Sequence, residues 1–345
     1  MHSQRKLEHL RICLEEDVSF RELATGFERY RFIHQALPEL DLSQVDTTTT
    51  FLGHGFQAPI LLTAMTGGIE AAQAINRHLA MAAQELGLGL GVGSQRAAIE
   101  DPTLADTYQV RHVAPDIFLV ANLGAVQLNH GYGLVECQRA VDMIQANALV
   151  LHLNPLQESL QGNGNTEFGG LLARIEAVCR ALPVPVLAKE VGWGLSEDVA
   201  RRLAAVGVAG LDVAGAGGTS WSEVEKHRAD ETTRRVAEAF ADWGIPTAES
   251  IQLARRGAPD LALVGSGGVR TGVDVAKAIA LGADVAGVAG TLLRPATVSA
   301  EAVILRLQQL VAELRIAMFC VGARTVADLR HTLLIPVGGR YMHDR

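Results

Sequence analysis

Eight short apolar runs, each followed by a more polar segment, constrain the fold of this chain more than any other feature. The runs are rich in Val, Ile, Leu and Ala and lack polar alternation, as strands do when both faces of a parallel sheet are covered. They lie at residues 59–65, 88–92, 117–121, 148–153, 186–190, 210–213, 261–265 and 285–288. Eight strands alternating with helices predict an α/β fold of the (β/α)8 TIM-barrel type.

Segments of helical periodicity separate these runs. They lie at residues 73–85, 168–181, 196–206, 232–243, 272–281 and 300–319. An open Rossmann sheet is the alternative arrangement, and it would need a GxGxxG motif after an early strand. GLGLGVGSQR, GAGGTS and GSGGVR do not supply that spacing, so the pattern favours the barrel.

The spacing of the runs also predicts the domain organisation. The longest interval, from residue 210 to residue 261, predicts a long insertion after strand 6, over the carboxyl-terminal mouth of the barrel. Residues 1–50 contain a charged helix candidate at 4–16 and too few large apolar side chains to fold alone. We therefore expect an N-terminal arm or lid at residues 1–50, packed on a ligand-binding barrel at residues 51–345.

Charge and cysteine usage restrict the partners of the protein. Thirty basic against 38 acidic residues give a net charge of −8, which argues against nucleic acid as a partner. No apolar run approaches the ~18 residues needed to cross a bilayer, and the charged N-terminus does not resemble a signal peptide. Four cysteines without a CxxC pair indicate reduced thiols. We expect a cytoplasmic protein without a membrane partner.

Two glycine-rich strand ends predict a phosphate site, because ligands of such barrels bind at the carboxyl ends of the strands. The ends of strands 7 and 8 read SGGVR and AGT, and they offer backbone N–H groups and a helix start to an anion. The predicted phosphate-binding residues are Gly267, Gly268, Arg270, Ala289 and Gly290. The alternative is that these glycines only relieve crowding at turns.

Lys189 ends the fifth predicted strand, directly after the apolar residues PVLA, so its side chain is expected in the barrel mouth. It suits a Schiff-base nucleophile or a cation that faces an electron-rich cofactor, and a structural pair with Glu190 is the alternative. Ser94 and Asn122 end neighbouring strands and suit hydrogen bonds to the edge of a heterocycle. Both are also ordinary loop residues.

The segment HLNPLQE follows the fourth strand and places three functional candidates within seven residues. Glu158 has only Glu167 as a carboxylate neighbour in sequence, so we expect Mg²⁺ to bind through this one carboxylate and substrate phosphates. Gln157 can orient a substrate or relay a proton. His152 is either a functional group or a buried histidine with satisfied hydrogen bonds.

Three basic residues lie on the predicted N-terminal helix. Arg5, Lys6 and His9, together with Arg96, could clamp a diphosphate, since Lys6 and His9 share one helix face. Composition alone favours a solvated charged helix instead.

These motifs, taken together, resemble the type 2 isopentenyl-diphosphate Δ-isomerases, an FMN-dependent family. The resemblance runs in order through RKLEH, TTTFLG, APILLTAMTGG, GVGSQR, HLNPLQE, LAKEVGWG, DVAGAGGTSW, SGGVRTGVDVAKAIALGAD and AGTLL. One segment departs from the family pattern: residues 161–168 read QGNGNTEF, where the family has a more charged sequence such as QPEGDRDF.

The resemblance implies a 1,3-allylic rearrangement of isopentenyl diphosphate to dimethylallyl diphosphate in isoprenoid biosynthesis. Reduced FMN would be the proton-transfer group, NADPH its reductant and Mg²⁺ the metal, in a homo-oligomeric tetramer or octamer. The implied FMN-binding residues are Ala64, Met65, Thr66, Ser94, Asn122, Lys189 and Thr219, with the phosphate residues named above. The implied substrate-binding residues are Arg5, Lys6, His9, Ser94, Gln95, Arg96 and Gln157. The implied metal ligand is Glu158, and the implied catalytic residues are Gln157, Lys189 and His152.

Two other functions are compatible with parts of the sequence. An FMN-dependent barrel oxidoreductase of the 2-hydroxy-acid oxidase type would need a His base and an Arg at the mouth. His227 and Arg228 have the right chemistry, but they lie in a charged helical run and are interpreted as surface residues. A flavin or polyprenyl-phosphate sensor without activity would lack site residues, and none is missing.

Overall fold

Eight parallel strands close into a barrel in the computed structural model, which describes residues 2–337. Met1 and residues 338–345, at the ends of the predicted arm and barrel segments, lie outside the described residues. The strands in chain order are β1 (Tyr30–Phe32), β2 (Thr49–Phe51), β3 (His54–Phe56), β4 (Ile60–Leu62), β5 (Gly89–Gly91), β6 (Leu119–Gly124), β7 (Ala148–His152), β8 (Val186–Lys189), β9 (Gly210–Asp212), β10 (Ala262–Ser266), β11 (Val285–Val288) and β12 (Leu334–Pro336). The ring contains β4 to β11 in chain order, and β11 closes it by pairing with β4.

Helices surround the ring and connect its strands. They are α1 (His2–Glu15), α2 (Glu70–Leu86), α3 (Arg96–Glu100), α4 (Leu134–Ile144), α5 (Pro155–Leu160), α6 (Leu171–Ala181), α7 (Glu197–Ala205), α8 (Trp221–Lys226), α9 (Glu231–Glu238), α10 (Thr247–Gly257), α11 (Gly272–Ala280), α12 (Gly290–Val298), α13 (Ala300–Cys320) and α14 (Val326–Arg330). Short 3-10 helices lie at Phe27–Arg29, Leu42–Gln44, Pro102–Thr107 and Ala125–Asn129.

The barrel strands are apolar because both of their faces are covered. Every residue of β6 is buried, and the buried face of α2, with Ile75 and Leu79, belongs to the core around the ring. Each of the eight apolar runs overlaps one barrel strand, so the barrel prediction is confirmed and the Rossmann alternative is wrong.

An aromatic cluster closes the amino-terminal end of the barrel. The β2–β3 hairpin places Phe51 and Phe56 against Phe118, which directly precedes β6, with ring centroids 5.8 Å and 6.0 Å from that of Phe118. These rings pack with apolar side chains from β4, β6, β7, β8, β10 and β11. The opposite end of the barrel is therefore the one available for a ligand.

The long insertion after strand 6 folds as predicted into extra helices, α8 and α9, between β9 and α10. The helix expected at 232–243 is shorter, however, and α9 ends at Glu238. The chain then turns, and Asp242 accepts hydrogen bonds from the backbone N–H groups of Glu22 and Leu23, both at 2.9 Å. This contact with the N-terminal arm replaces the last helical turn.

The N-terminal arm is bound to the rest of the chain at several points. Ile12 of α1 and Val18 pack with Val224 of α8, and β1 pairs antiparallel with β12 near the other end of the chain. Within residues 2–337, no helix combines the length and apolar character needed to span a membrane. All four cysteines are unpaired.

We predict that Phe118→Ala lowers the free energy of unfolding by about 3–5 kcal/mol. The Phe118 side chain is only 3% exposed, so its removal leaves a cavity in the core. Urea denaturation measures this change. Val135→Ala on α4 is the control, since Val135 is 66% exposed and should change stability by less than about 0.5 kcal/mol. Equal stability of the two variants would contradict the proposed role of the aromatic cluster.

Candidate active site

A cavity of about 650 Å³ lies at the carboxyl-terminal mouth and receives residues from the ends of all eight barrel strands. The sequence-predicted residues that line it are Arg5, Lys6, His9, Ala64, Met65, Thr66, Ser94, Arg96, Asn122, His152, Gln157, Glu158, Lys189, Thr219, Gly267, Gly268, Arg270, Ala289 and Gly290. Residues far apart in the sequence thus share one cavity of the size that small-molecule ligands occupy.

Gln95 does not line this cavity, and its prediction as a substrate-binding residue is wrong. Its side chain is fully buried and donates to the backbone oxygen of Ala140 at 2.8 Å. Its amide oxygen accepts from the backbone N–H of Asn122 at 2.9 Å. Gln95 therefore joins β5, β6 and α4 behind the cavity, a role that the GVGSQR motif does not reveal.

The loops after β10 and β11 form a backbone-lined recess. Gly267 and Gly268 have φ values of 110° and 66°, in the left-handed region that favours glycine. A Cβ atom at Gly268 would lie 2.5 Å from Cγ2 of Thr25. Helix α12 begins at Gly290, and its N-cap Ala289 makes no side-chain hydrogen bond to the first turn. Its first N–H groups are therefore suited to an anion.

Two arginines add positive charge to this recess. Arg270 donates to the backbone oxygen of Gly217 at 3.2 Å, and Arg306 of α13 donates to Oγ1 of Thr291 at 3.1 Å. Arg306 also donates to the backbone oxygen of Arg270, at 2.5 Å. The sequence predicted Arg270 but not Arg306, which is 36 residues further along the chain and carries no motif.

Lys189 lies in the mouth, as predicted, with its ammonium held from two sides. It donates to the backbone oxygen of Glu190 at 2.8 Å, and it lies 3.5 Å from a carboxylate oxygen of Asp212 on the neighbouring strand β9. Asp212 also accepts a hydrogen bond from Ser266. The side-chain pair of Lys189 with Glu190, considered as an alternative, is therefore wrong, because Asp212 is the paired carboxylate.

Glu190 instead stabilises the turn that follows β8. One carboxylate oxygen accepts from the backbone N–H groups of Val191 and Gly192, both at 2.7 Å, and from that of Trp193 at 2.5 Å. Burial raises the pKa of Glu190 to about 7, against the opposing effect of these three donors. Val191 and Gly192 line the cavity, so this carboxylate shapes its wall.

His152 is a neutral ring in this environment. Burial lowers its pKa to about 4, and the positive charges of Lys189 and Lys6 act in the same direction. Nδ1 lies 2.8 Å from Oδ1 of Asn122, whose Nδ2 donates to the backbone oxygen of Val92 at 3.1 Å. That second bond fixes the amide orientation, so Nδ1 of His152 carries the proton. One N–H of Nδ2 and one lone pair of Oδ1 of Asn122 therefore remain for hydrogen bonds to a ligand.

The HLNPLQE segment forms a polar group at the start of α5. Nδ2 of Asn154 lies 3.1 Å from both Oε1 of Gln157 and Oε1 of Glu158. The second carboxylate oxygen of Glu158 accepts from the backbone N–H of Asn165 at 2.6 Å. Oδ1 of Asn154 is buried and has no hydrogen-bond partner among the described residues.

Residues 2–337 contain no group of three His, Cys, Asp or Glu side chains that could hold a metal ion. The unpartnered oxygen of Asn154 next to Glu158 leaves an acceptor for a hydrated ion or a ligand donor.

Arg5, Lys6 and His9 of α1 line the cavity and are not a solvated face. Nζ of Lys6 donates to the backbone oxygen of Ser94 at 2.8 Å and to the hydroxyl of Tyr108 at 2.5 Å. Burial, with a smaller contribution from Arg5, lowers the pKa of Lys6 to about 7. Burial also lowers the pKa of Arg5, and neighbouring Arg96 adds to this effect. Such crowded cations favour an anionic ligand.

Glu225 of the insertion helix α8 connects three parts of the site. Its carboxylate contacts Nε2 of His9 at 2.9 Å, Nη1 of Arg228 at 2.7 Å and Nε2 of Gln157 at 3.2 Å. Arg228 also pairs with Glu8 at 2.9 Å, so its interpretation as a surface residue is wrong. The sequence does not reveal Glu225, because this residue lies in the charged run of the insertion and no local pattern distinguishes a buried glutamate from an exposed one.

Comparison with known proteins relates this chain to a family of FMN-dependent enzymes and to proteins named as isomerases. The model of the FMN-dependent dehydrogenase family matches residues 2–111 and 152–336. A protein from Nostoc sp. named isopentenyl-diphosphate delta-isomerase is 53% identical over 329 residues, which cover 95% of this chain and 94% of that protein. An Oceanobacillus iheyensis protein of the same name is 46% identical, with 99% of both chains covered.

The chain belongs to the isopentenyl-diphosphate delta-isomerase family. The predicted family is thereby confirmed.

Solved structures of oxidases share the fold of this isomerase family member at low sequence identity. A mandelate oxidase with an FMN adduct has a TM-score of 0.65 at 19% identity, covering 91% of this chain and 90% of its own. A lactate oxidase from Pediococcus acidilactici has a TM-score of 0.68 at 16% identity, covering 99% and 94%. At such identities the likeness extends to the barrel and not to the reaction.

We predict that the isomerase binds inorganic pyrophosphate more weakly as the pH rises through about 7, because the Lys6 ammonium loses its proton there. The loss is at most about tenfold per pH unit for one group. Calorimetric titration between acidic and alkaline buffers measures it. Lys6→Met is the control, since any pH dependence left in that variant belongs to the ligand and to other groups. Identical pH dependence in both proteins would contradict the role of Lys6.

Proposed function

We propose that this chain interconverts isopentenyl diphosphate and dimethylallyl diphosphate with FMN as cofactor. The observation that carries the proposal is one cavity with two separate groups of anion-binding residues along its rim. The glycine loops and Arg270 follow β10 and β11, and Arg306 packs beside them. Lys6 and Arg96 adjoin the end of β5, which β4 separates from β11 in the ring. A phosphate-bearing cofactor and a diphosphate substrate provide one anion for each group.

The residues present fit FMN. The recess of Gly267, Gly268 and the start of α12 suits its phosphate, since backbone N–H groups and two arginines surround it. The side chains of Asn122 and Lys189 offer polar contacts deeper in the cavity. The match to the FMN-dependent dehydrogenase model supports the same cofactor.

The residues present also fit Mg²⁺ bound together with a diphosphate. Glu158 offers one carboxylate and Asn154 one unpartnered oxygen, both oxygen ligands that a hard cation prefers. Arg5, Lys6 and Arg96 would bind the remaining phosphate oxygens. The residues of α1 thus give the arm at 1–50 its proposed role as a lid over bound substrate.

The proposed reaction moves a double bond by one position. The terminal alkene carbon gains a proton and the allylic carbon loses one, so the reaction involves no net oxidation or reduction. When bound, reduced FMN supplies the group that exchanges these protons. The rate then depends on how the protein positions the substrate and on the electrostatics around it.

The chain's own residues have distinct parts in this reaction. Lys189, held by Asp212, provides a fixed positive charge near the cofactor. His152 remains neutral and donates from Nδ1 to Asn122, so it adds no charge beside the hydrocarbon. Gln157, fixed between Asn154 and Glu225, orients the substrate or relays a proton.

The proposal includes NADPH as the reductant of FMN, a cytoplasmic location and a homo-oligomeric state. NADPH and the tetramer or octamer follow from the family resemblance. Exposed apolar side chains on α13, with Leu305 at 67% and Ile316 at 53% exposure, support a contact between subunits. Unpaired thiols suit a reducing compartment.

The 2-hydroxy-acid oxidase alternative is less well supported. Its support is the likeness in fold to oxidases that are under 20% identical to this chain. Its candidate arginine, Arg228, is unsuitable. Arg228 is already paired with Glu225 and Glu8, so it does not present a free charge to a substrate carboxylate.

A turnover experiment tests the proposal. The purified protein should contain a yellow chromophore, and it should form dimethylallyl diphosphate from isopentenyl diphosphate when Mg²⁺ and NADPH are added without oxygen. Many turnovers should follow each flavin reduction, whereas an oxidase would consume one oxidant per substrate. A flavin-loaded, reduced protein that forms no product would refute the function.

We predict that Glu158→Gln raises the Mg²⁺ concentration needed for half-maximal activity by about tenfold or more, because the variant loses the anionic ligand. FMN affinity should not change. Gln157→Ala is the matched comparison at the neighbouring position, and it should lower kcat while the Mg²⁺ requirement remains that of the parent.

Kinetics over a range of Mg²⁺ concentrations measure both effects. A parental Mg²⁺ response in Glu158→Gln, or a parental kcat in Gln157→Ala, would contradict the corresponding role.

A further inference from the structure

Tyr108 directly follows the 3-10 helix at Pro102–Thr107 and contacts one of the cationic residues of the N-terminal arm. Its side chain is fully buried, and Tyr108 is not one of the residues that line the cavity. Its hydroxyl accepts a hydrogen bond from Nζ of Lys6 at 2.5 Å and donates one to the backbone oxygen of Ser94 at 2.6 Å. The same Ser94 oxygen accepts from Lys6 at 2.8 Å. Lys6, Tyr108 and Ser94 therefore form a closed triangle of hydrogen bonds.

This triangle leaves one donor of Lys6 for a ligand. The Tyr108 hydroxyl accepts once and donates once, and the Ser94 oxygen accepts with both lone pairs. The ammonium of Lys6 has three donors, and two of them are used here. The part of the chain that the structure describes offers Lys6 no third acceptor, so one N–H remains for a ligand of the cavity that Lys6 lines.

We propose that Tyr108 is a positioning residue: its hydroxyl fixes the Lys6 ammonium beside the end of β5, and the third N–H of Lys6 thereby remains available to the substrate diphosphate. The inference rests on the proposed function, because that function assigns the diphosphate to Lys6. Tyr108 acts through Lys6, since its own side chain does not line the cavity.

A fixed ammonium binds an anion better than a free one, because a lysine side chain has many rotamers. Those rotamers are lost when the anion binds, unless the folded protein has already selected one of them. Tyr108 suits this task, since its phenol is rigid and its ring packs within the main hydrophobic core. An acceptor on the exposed surface would have to compete with water for the ammonium.

The two glycines of the TAMTGG motif make room for the Lys6–Tyr108 pair. A Cβ atom at Gly67 would lie 1.9 Å from Cε1 of the Tyr108 ring. A Cβ atom at Gly68 would lie 2.9 Å from the Tyr108 hydroxyl and 3.0 Å from Nζ of Lys6. The backbone N–H of Gly68 donates to Oγ1 of Thr107 at 2.9 Å, which joins this loop to the residue before Tyr108. The loop and the tyrosine are thus fixed relative to each other.

Tyr108→Phe tests the proposal, because it keeps the ring and removes only the hydroxyl. Calorimetry uses FMN-loaded protein and inorganic pyrophosphate, without Mg²⁺ and at a pH below 7. The Kd should be about fivefold higher than that of the parent, the effect of one lost hydrogen bond. In activity assays KM for isopentenyl diphosphate should rise more than kcat falls, because Lys6 holds the diphosphate and not the reacting carbons. A parental Kd would overturn the inference.

The pH dependence of pyrophosphate binding separates this role from a merely structural one. A hydroxyl that accepts from the ammonium favours its charged form, so its loss should lower the pKa of Lys6 below the parental value of about 7. The pH at which pyrophosphate binding weakens should therefore move downward in Tyr108→Phe. Arg5 and His152 are titratable groups whose charges interact with Lys6, and both are the same in parent and variant. An unmoved pH profile would contradict the positioning role.

A double-mutant cycle tests whether Tyr108 acts through Lys6. In a Lys6→Met background, the added Tyr108→Phe substitution should leave the Kd for pyrophosphate unchanged, since no ammonium is left to fix. An equal loss of affinity in both backgrounds would show that Tyr108 acts without Lys6 and would overturn the inference. If Lys6→Met binds pyrophosphate too weakly to measure, the pH profile of Tyr108→Phe decides the point.

Tyr30→Phe is the matched control. It also removes a hydroxyl that accepts one hydrogen bond, from Nε2 of Gln252 at 2.8 Å, and Tyr30 is not among the residues that line the cavity. This variant should bind pyrophosphate as the parent does. A Kd raised equally in Tyr30→Phe and Tyr108→Phe would count against a specific role of Tyr108.

Gly68→Ala tests the same contact if Tyr108→Phe fails to fold, because the added methyl group would displace the hydroxyl and the ammonium. The Kd for pyrophosphate should rise in this variant. Gly55→Ala, where an added Cβ would meet no atom within 4 Å, should match the parent. A parental Kd in Gly68→Ala would overturn the inference.

Failure of this inference is distinguishable from failure of the proposed function. Parent protein that isomerises isopentenyl diphosphate, with a Tyr108→Phe variant that binds pyrophosphate normally, would overturn the role of Tyr108 alone. Parent protein that forms no product would refute the proposed function, and the pyrophosphate titrations would still test Tyr108. A parent that does not bind pyrophosphate would overturn both.

Discussion

The pairing of β11 with β4 closes the strand ring, and the geometry of the site depends on this closure. Both strands are short, and β4 contains only Ile60–Leu62. The closed ring fixes the loops after β10 and β11 and the end of β5, beside which Lys6 and Arg96 lie, around one mouth. An open sheet would not hold the two anion-binding regions around one cavity. Closure therefore sets which two anions can be bound together.

Buried carboxylates organise the mouth above that ring. Glu225 connects α1, α8 and α5 through His9, Arg228 and Gln157, and Glu190 holds the turn after β8. A buried carboxylate is stable only when donors or cations surround it. The arm, the insertion and the HLNPLQE segment are thus held by a shared group.

The sequence predicted the features that depend on local chemistry. Apolar runs revealed all eight barrel strands, and glycine-rich strand ends revealed the recess near Gly267, because strands and tight turns impose their own residue preferences. It missed Arg306 and Glu225, which reach the cavity from α13 and from the insertion. It also misassigned Gln95, whose neighbours suggest a ligand contact although its side chain turns to the backbone of α4. These three depend on tertiary packing, which leaves no periodic signal.

The pairing of β1 with β12 has a consequence for how the chain is made. Tyr30 lies opposite Pro336, and Asp46 forms a further bridge with Thr325, so the arm is fixed by residues at the far end of the sequence. During synthesis the N-terminal segment emerges first, yet its partner strand is translated near the end. The barrel can assemble from consecutive strand–helix units, whereas the β1–β12 pair can form only after its second strand has been synthesised. The attachment of the arm at β1 is consequently completed late.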